Sequence, residues 1–393
     1  MSADSVVIVS ARRTPIGAFL GALSAAPATQ LGAAAAAAAL ADSGIAPGDI
    51  QEVIFGCVLP AGLGQAPARQ AALGAGIPTA TPATTINKMC GSGLKAVMLA
   101  ADQIRAGGTD VVLAGGLESM SNAPYLLPKA RSGYRMGHGE VIDHMFFDGL
   151  QSPWDGQLMG VFAEATAEKY AFTRAQQDAF AAESVRRALQ AVESGAFKRE
   201  VTAVKVKMRK GETLIERDET PFTCDIDKIP ALKPAFRKDG TVTAASSSSI
   251  SDGAAALVLV RESVARSRGL KPLARIVAYG SHAQEPAWFT TAPVGAIRKV
   301  LEQTGWRAGE VDLYEINEAF ACVTMAAMRD VGIDHARVNV NGGACALGHP
   351  IGATGARIAT TLVHALQNRG LKRGIASLCI GGGEATALAM EAL

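Results

Sequence analysis

Four stretches carry side chains able to do covalent chemistry. In Ile86-Asn-Lys-Met-Cys90-Gly-Ser-Gly-Leu a cysteine stands between a β-type run and the glycines that open an amphipathic helix. A sulfur at the positive end of a helix dipole is expected to favour the thiolate. Gly91 and Gly93 leave backbone N–H groups uncovered, and a carbonyl oxygen turning into an oxyanion needs such donors. The stretch fits an acyl-accepting nucleophile and fits equally a small buried core cysteine. In Asn341-Gly-Gly-Ala-Cys345-Ala-Leu-Gly-His349-Pro-Ile-Gly352 a histidine sits among glycines just before a helix start. There it can take the thiol proton of Cys90 and then hydrogen-bond an oxyanion, although a lone histidine is more often structural. Asn317, in Asn317-Glu-Ala-Phe320, follows a strand, where its amide could orient a water or donate to a carbonyl. Cys379-Ile-Gly-Gly-Gly383 puts a second thiol at a strand end before a flexible turn. Two thiols and an imidazole suit two proton-handling events. One activates a nucleophile; the other removes a proton from carbon, such as the α-carbon of a thioester whose enolate oxygen is hydrogen-bonded.

The elements that must hold these residues alternate between apolar β runs and helices. Val6 to Ser10, Val53 to Gly56, Thr84 to Asn87 and Asp110 to Glu118 are strand candidates, with an alanine-rich helix near Gly32 to Ala41 and a helix after Cys90. This order predicts an α/β fold with strands covered on both faces. The C-terminal third repeats the order. An offset of 261 residues carries Gly44 and its Ser-Gly-Ile-Ala-Pro-Gly surroundings onto Gly305 in Thr-Gly-Trp-Arg-Ala-Gly, and carries Gly93 beside Gly355. Two similar α/β halves follow from that duplication, unless generic strand and helix pieces match by chance. The halves are read as residues 1–118 with 244–270, and 271–393. Between them, 119–243 changes character, with Pro/Gly-rich loops, a helical segment from Arg174 to Val192 and the basic run Lys205 to Lys210. It is read as a loop domain over the catalytic face, carrying subunit contacts; the basic run meets a phosphate or is a solvated face. The serine run Thr243 to Gly253 suits a polar ligand, or is a turn and helix cap.

Composition narrows the classes. The chain has 393 residues, 49% hydrophobic, with a formal charge of +2, so a large core is affordable and nothing proposes nucleic acid or a membrane surface. The six cysteines (Cys57, Cys90, Cys224, Cys322, Cys345, Cys379) show neither C-x-x-C nor Cys/His spacing for a metal. Reduced thiols and a cytoplasmic address are the expectation, with Cys57, Cys224, Cys322 and Cys345 as packing residues. Met1 to Ser5 lead straight into a strand, without the pattern of a signal peptide.

The motifs N-x-x-C-G-S-G, N-E-A-F-A, N-G-G-A-x-A-L-G-H-P-I-G-A-x-G and C-x-G-G-G stand together, in order, over nearly the whole chain. In this the sequence resembles the thiolase family, and within it the biosynthetic acetyl-CoA C-acetyltransferase group. The resemblance implies a five-layered α-β-α-β-α fold and a reversible, ping-pong Claisen condensation of two acetyl-CoA to acetoacetyl-CoA and CoA. Cys90 would carry the acetyl group and His349 would activate it. Cys379 would take the α-proton, and the oxyanion sites would be His349 with a water on Asn317, and the N–H groups of Cys90 and Gly381. The resemblance further implies CoA or acyl contacts at Ser248, Met159, Phe289 and Phe320, no metal or redox cofactor beyond CoA itself as substrate, and a homotetramer joined through Met120 to Met145.

The sequence departs from the family where Leu158 replaces a histidine before Met159-Gly160, where Phe222 replaces an arginine near the nucleotide, and where Ala245-Ser-Ser-Ser248 replaces A-N-A-S. A degradative thiolase of broader chain length is the nearest alternative. A ketoacyl-carrier-protein synthase would lack Cys379, a sterol-carrier-type thiolase departs at N-E-A-F and G-H-P, and a silent CoA-binding protein would have lost the thiols.

Overall fold

The computed structural model describes residues 4–208 and 211–393. Arg209 and Lys210, the end of the basic run, and the first three residues lie outside the described residues. Nine of the main sheet's ten strands among the described residues form the frame, the tenth being the short Gly17–Ala18: β1 (Val6–Arg13), β2 (Glu52–Gly56), β3 (Ala83–Ile86), β4 (Val111–Ser119), β5 (Ser251–Arg261), β6 (Ala274–Ala283), β7 (Leu313–Ile316), β8 (Arg373–Ile380) and β9 (Glu384–Ala392). They run in the order β7-β8-β9-β6-β1-β5-β4-β2-β3. The N-terminal half contributes β3-β2-β4-β5-β1. The C-terminal half repeats that order as β7-β8-β9-β6, with a parallel bridge from Tyr314 to Val338 where β3 has its counterpart. The two half-sheets join edge to edge through an antiparallel contact of β1 with β6, Val6 opposite Ile276 and Ile8 opposite Ala274.

The strands bury both faces, so their sequences read as continuous apolar runs. Val7, Val9, Phe55 and Leu113 face α1 (Ala28–Ser43) and α2 (Pro67–Gly74). Val6, Ile8, Ile54 and Val112 face the other way, onto α3 (Ser92–Arg105) and α8 (Ile351–Arg369), whose far side packs on Ala376, Leu378 and Leu388 of the second half. Beyond that, Tyr314, Ile375 and Ala387 meet α6 (Ala292–Thr304) and α7 (Ala321–Val331). The layers are therefore α, β, α, β, α, and the central pair α3 and α8 belongs one to each half.

The duplicated glycines explain how those two helices come so close. A Cβ on Gly93 would lie 2.7 Å from the backbone nitrogen of Ala356, and one on Gly355 would lie 2.2 Å from the backbone nitrogen of Leu94. The chain leaves the sheet at Ser119 and returns at Ser251. In between lie α4 (Met159–Lys169), α5 (Arg174–Glu193), whose start is fixed by a Thr173–Gln176 capping box, and the hairpin Val204–Met208 with Gly211–Ile215 that bears Lys205 and Lys207. Among the described residues, no helix is long and apolar enough to cross a membrane.

Candidate active site

Cys90 lies in a turn between β3 and α3 that is held by its own side chains. Asn87 Oδ1 accepts the Met89 N–H at 2.9 Å, Ser92 Oγ accepts the Lys88 N–H at 2.8 Å, and the same hydroxyl donates to the Met89 carbonyl at 2.7 Å. Met89 has φ +47°, a left-handed conformation a methionine adopts only when its surroundings enforce it. The turn points the Cys90 sulfur at the N–H groups of Gly381 and of Cys90 itself. Burial outweighs those donors and pushes the thiol up to about 11. The expected resting thiolate is thus corrected to a thiol: sinking the sulfur into protein disfavours its charge more than two N–H groups and a helix start favour it.

His349 follows Gly348, whose φ of +104° and close approach to Ser251 suit glycine alone. Its backbone N–H donates to the Ser249 carbonyl, and Pro350 then opens α8. The imidazole Nδ1 is 2.6 Å from Thr354 Oγ1, and that hydroxyl donates its one proton to the Pro350 carbonyl at 2.9 Å. In that arrangement Nδ1 carries the hydrogen of this bond, and Nε2 keeps its lone pair. Nε2 is buried with no partner among the described residues. Burial, with the Arg357 guanidinium adding to it, pushes His349 down to about 3, so the ring is neutral at rest. Ile351, two residues on, packs with Met89 and Cys90 and joins the two segments.

Asn317 follows β7, and its N–H donates to the Ser377 carbonyl of β8. Its side chain is 1% exposed, yet both its oxygen and its nitrogen lack a partner among the described residues. A buried amide with both ends free is costly unless it serves a ligand or water. Cys379 lies on β8 opposite Ala385 of β9 and is fully buried. Burial comes first in pushing its thiol well up, followed by the nearness of Cys90 and then Cys322.

Beside Cys90 opens a cavity of about 440 Å³ with Met89, Trp154, Met159, Phe162, Gly381 and Gly382 in its wall. Met159 lines it directly. Phe289 stands behind Phe162, edge to face at 6.2 Å, and Phe320 meets Phe236 in the same way at 5.9 Å. These three share one apolar cluster with Cys379. Ser248 gives both its N–H and its hydroxyl proton to the Ala319 carbonyl, at 3.0 Å each, and so aligns the serine turn beside Asn317-Glu-Ala-Phe320. Phe222 is exposed, with the Arg217 guanidinium 4.5 Å above its ring.

Three supporting residues were not singled out from the sequence. Thr354 pairs with the imidazole and sits five residues after it, in the first turn of α8. Glu118, at the end of β4, accepts the N–H groups of Val58, Leu59 and Gly352, tying the nucleophile's half to the start of α8; burial pushes its carboxyl up to about 7. Glu318 accepts from Ser184, Asn339 and the Cys345 N–H, locking the Asn317 turn to the segment leading to His349.

Paired half-sheets, a cysteine at the head of one central helix and a histidine at the head of the other define an acyl-transfer site of a known class. The sequence matches the family described as "Thiolase, N-terminal domain" over residues 6–263 and "Thiolase, C-terminal domain" over residues 270–392. The chain belongs to the thiolase family. It is 51% identical over 389 residues to an acetyl-CoA acetyltransferase of Pseudomonas aeruginosa, covering 98% of this chain and 99% of that one. It is 52% identical over 391 residues to acetyl-CoA acetyltransferase 2 of Arabidopsis thaliana, covering 99% and 97%. The crystal structure of the Bacillus anthracis acetyl-CoA acetyltransferase superposes with a TM-score of 0.97 at 44% identity, over 99% of each chain.

Proposed function

We propose that the protein catalyses the reversible condensation of two acetyl-CoA molecules to acetoacetyl-CoA and CoA, through an acetyl group carried on Cys90. The observation that carries this reading is the nearness of two thiols from opposite halves, Cys90 and Cys379, beside a segment that packs Ile351 against Cys90 and holds His349 with an unpartnered Nε2. The thiol at about 11 and the imidazole at about 3 lie too far apart for a resting ion pair, so the proton moves as the sulfur attacks. His349 takes that proton, and the N–H groups of Cys90 and Gly381 receive the oxyanion. The departing CoA sulfur takes the proton of Cys379, which leaves the thiolate that the next step requires. A second acetyl-CoA then loses its α-proton to Cys379, with the enolate oxygen held by His349 and a water on Asn317. The carbanion attacks the Cys90 thioester, and Cys90 leaves with the proton stored on His349. Every proton and electron pair is accounted for by side chains and substrate, so CoA thioesters suffice without a metal or redox cofactor.

Ser248, Met159, Phe289 and Phe320 serve as contacts for CoA and the acyl group in this reading. A homotetramer is supported by apolar side chains left exposed on the arm between Met120 and Met145, among them Tyr125, Leu127, Met136 and Val141. A cytoplasmic location is supported by the need to keep both catalytic thiols reduced.

The test is thiolysis. The protein should consume acetoacetyl-CoA only when free CoA is added, and rates should fall as the 3-ketoacyl chain lengthens, because aromatic side chains crowd the cavity. Consumption without CoA would refute the acyl-transfer reading, and equal rates on long chains would move the protein to the degradative thiolases.

A further inference from the structure

The turn carrying Cys90 and the turn following Cys379 come from strands far apart in the sheet, since β3 lies at one edge and β8 next to the other. No strand ladder therefore fixes one against the other. Three contacts among the described residues bring them together. Gly91 sits under Ile380 so closely that a Cβ would lie 2.3 Å from its Cδ1, the Gly381 N–H faces the Cys90 sulfur, and Lys88 Nζ lies 2.5 Å from Glu384 Oε2. The last is the ion pair that joins the two turns among the described residues. Lys88 stands two residues before the nucleophile, beyond the strained Met89. Glu384 closes the hairpin opposite Ile380, one position from the Cys379–Ala385 pair, after two glycines at φ +97° and +89°. Neither side chain is in the cavity wall.

We propose that Lys88 and Glu384 are positioning residues: a charged clamp that sets the Cys90 turn of one half and the Cys379–Gly381 turn of the other at their working separation. The proposal rests on the thiolase reading of the site. In that reading both oxyanion donation by Gly381 and proton transfer by Cys379 cross this gap, and a displacement of about 1 Å between reacting groups costs on the order of a hundredfold in rate. The pair is partly exposed, 23% and 35%, so it contributes little to stability while still fixing a distance.

The experiment is a charge swap, K88E, E384K and the double variant, assayed in acetoacetyl-CoA thiolysis with thermal midpoints beside the kinetics. Each single variant sets like charges face to face and should lower kcat by about tenfold or more, with KM and the thermal midpoint near those of the native protein. The double variant should regain kcat to within about threefold of native, because the attraction is restored with its polarity reversed. Singles that keep the native kcat, or a double variant no better than the singles, would overturn the clamp. Should a like-charge variant fail to fold, E384Q answers the same question: a lower kcat at unchanged KM supports the clamp and a native kcat overturns it. A native protein inert in the assay refutes the thiolase reading itself, a result distinct from a failed swap.

Discussion

Thr354 decides which nitrogen of His349 keeps its lone pair. With its hydroxyl proton on the Pro350 carbonyl at 2.9 Å, it accepts from Nδ1 and holds the imidazole in one tautomer. Thr354→Val removes that acceptor while keeping the shape. It should lower kcat by about 10²-fold or more, the contribution typical of a general base, with KM little changed; steady-state kinetics of thiolysis check it. A native kcat would mean that the tautomer is held by other means. The ionisation of Cys90 has its own signature. Since burial raises the thiol to about 11, the thiolate fraction grows with each step in pH toward that value. Alkylation of Cys90, followed by mass spectrometry, should therefore still be climbing between pH 8 and about 10; a plateau by pH 8 would show a thiolate formed at rest. Cys90, His349, Asn317 and Cys379 stand out in the sequence because reactive side chains beside glycines are a local pattern. The thiolate expectation failed because desolvation is a tertiary effect. Glu118 was invisible for the same reason, its partners at Val58 and Gly352 being brought together only by the fold.

At the scale of elements, the crossing of α3 and α8 sets the site. The two helices begin beside Cys90 and beside His349, and they approach so closely that backbone meets backbone at Gly93 and Gly355. Gly355→Ala places a methyl 2.2 Å from the Leu94 nitrogen, which no rotamer change relieves. The variant should lose roughly 1–3 kcal/mol or more, seen as a lower thermal midpoint, and should lose activity in parallel as Cys90 and His349 move apart. An unchanged midpoint would mean that the crossing has slack. The helices and strands themselves were readable from apolar runs and glycine punctuation, and the matching glycines of the two halves pointed to each other. Their role as the contact surface needed the structure, because an offset in sequence says that two helices are alike and not that they touch.

The whole molecule is a duplicated half, and the proposed reaction divides the labour between its two copies. Each half gives a strand end with a thiol, and the central layer shares one helix from each. The repeated strand order was foreshadowed by the 261-residue offset, whereas the joining of the half-sheets through Val6 to Ile8 and Ala274 to Ile276 was not. Those residues read as ordinary buried strands, and nothing local marks which edges pair. The intervening segment, residues 120–250, closes the cavity with Trp154 and Met159 and hangs outside both sheets. In the proposed reaction, the nearness of a thiol from each copy lets one sulfur hold an acyl group while the other handles a proton on carbon. The most direct measurement of that division is radiolabelled acetyl-CoA given to Cys379→Ala, with Cys90→Ala beside it. Cys379→Ala is expected to acquire label on Cys90 more slowly, because the CoA sulfur must then leave as the thiolate or take its proton from water, and to form no acetoacetyl-CoA, whereas Cys90→Ala acquires no label. Unimpaired carbon–carbon bond formation in Cys379→Ala, or label retained in Cys90→Ala, would contradict that division.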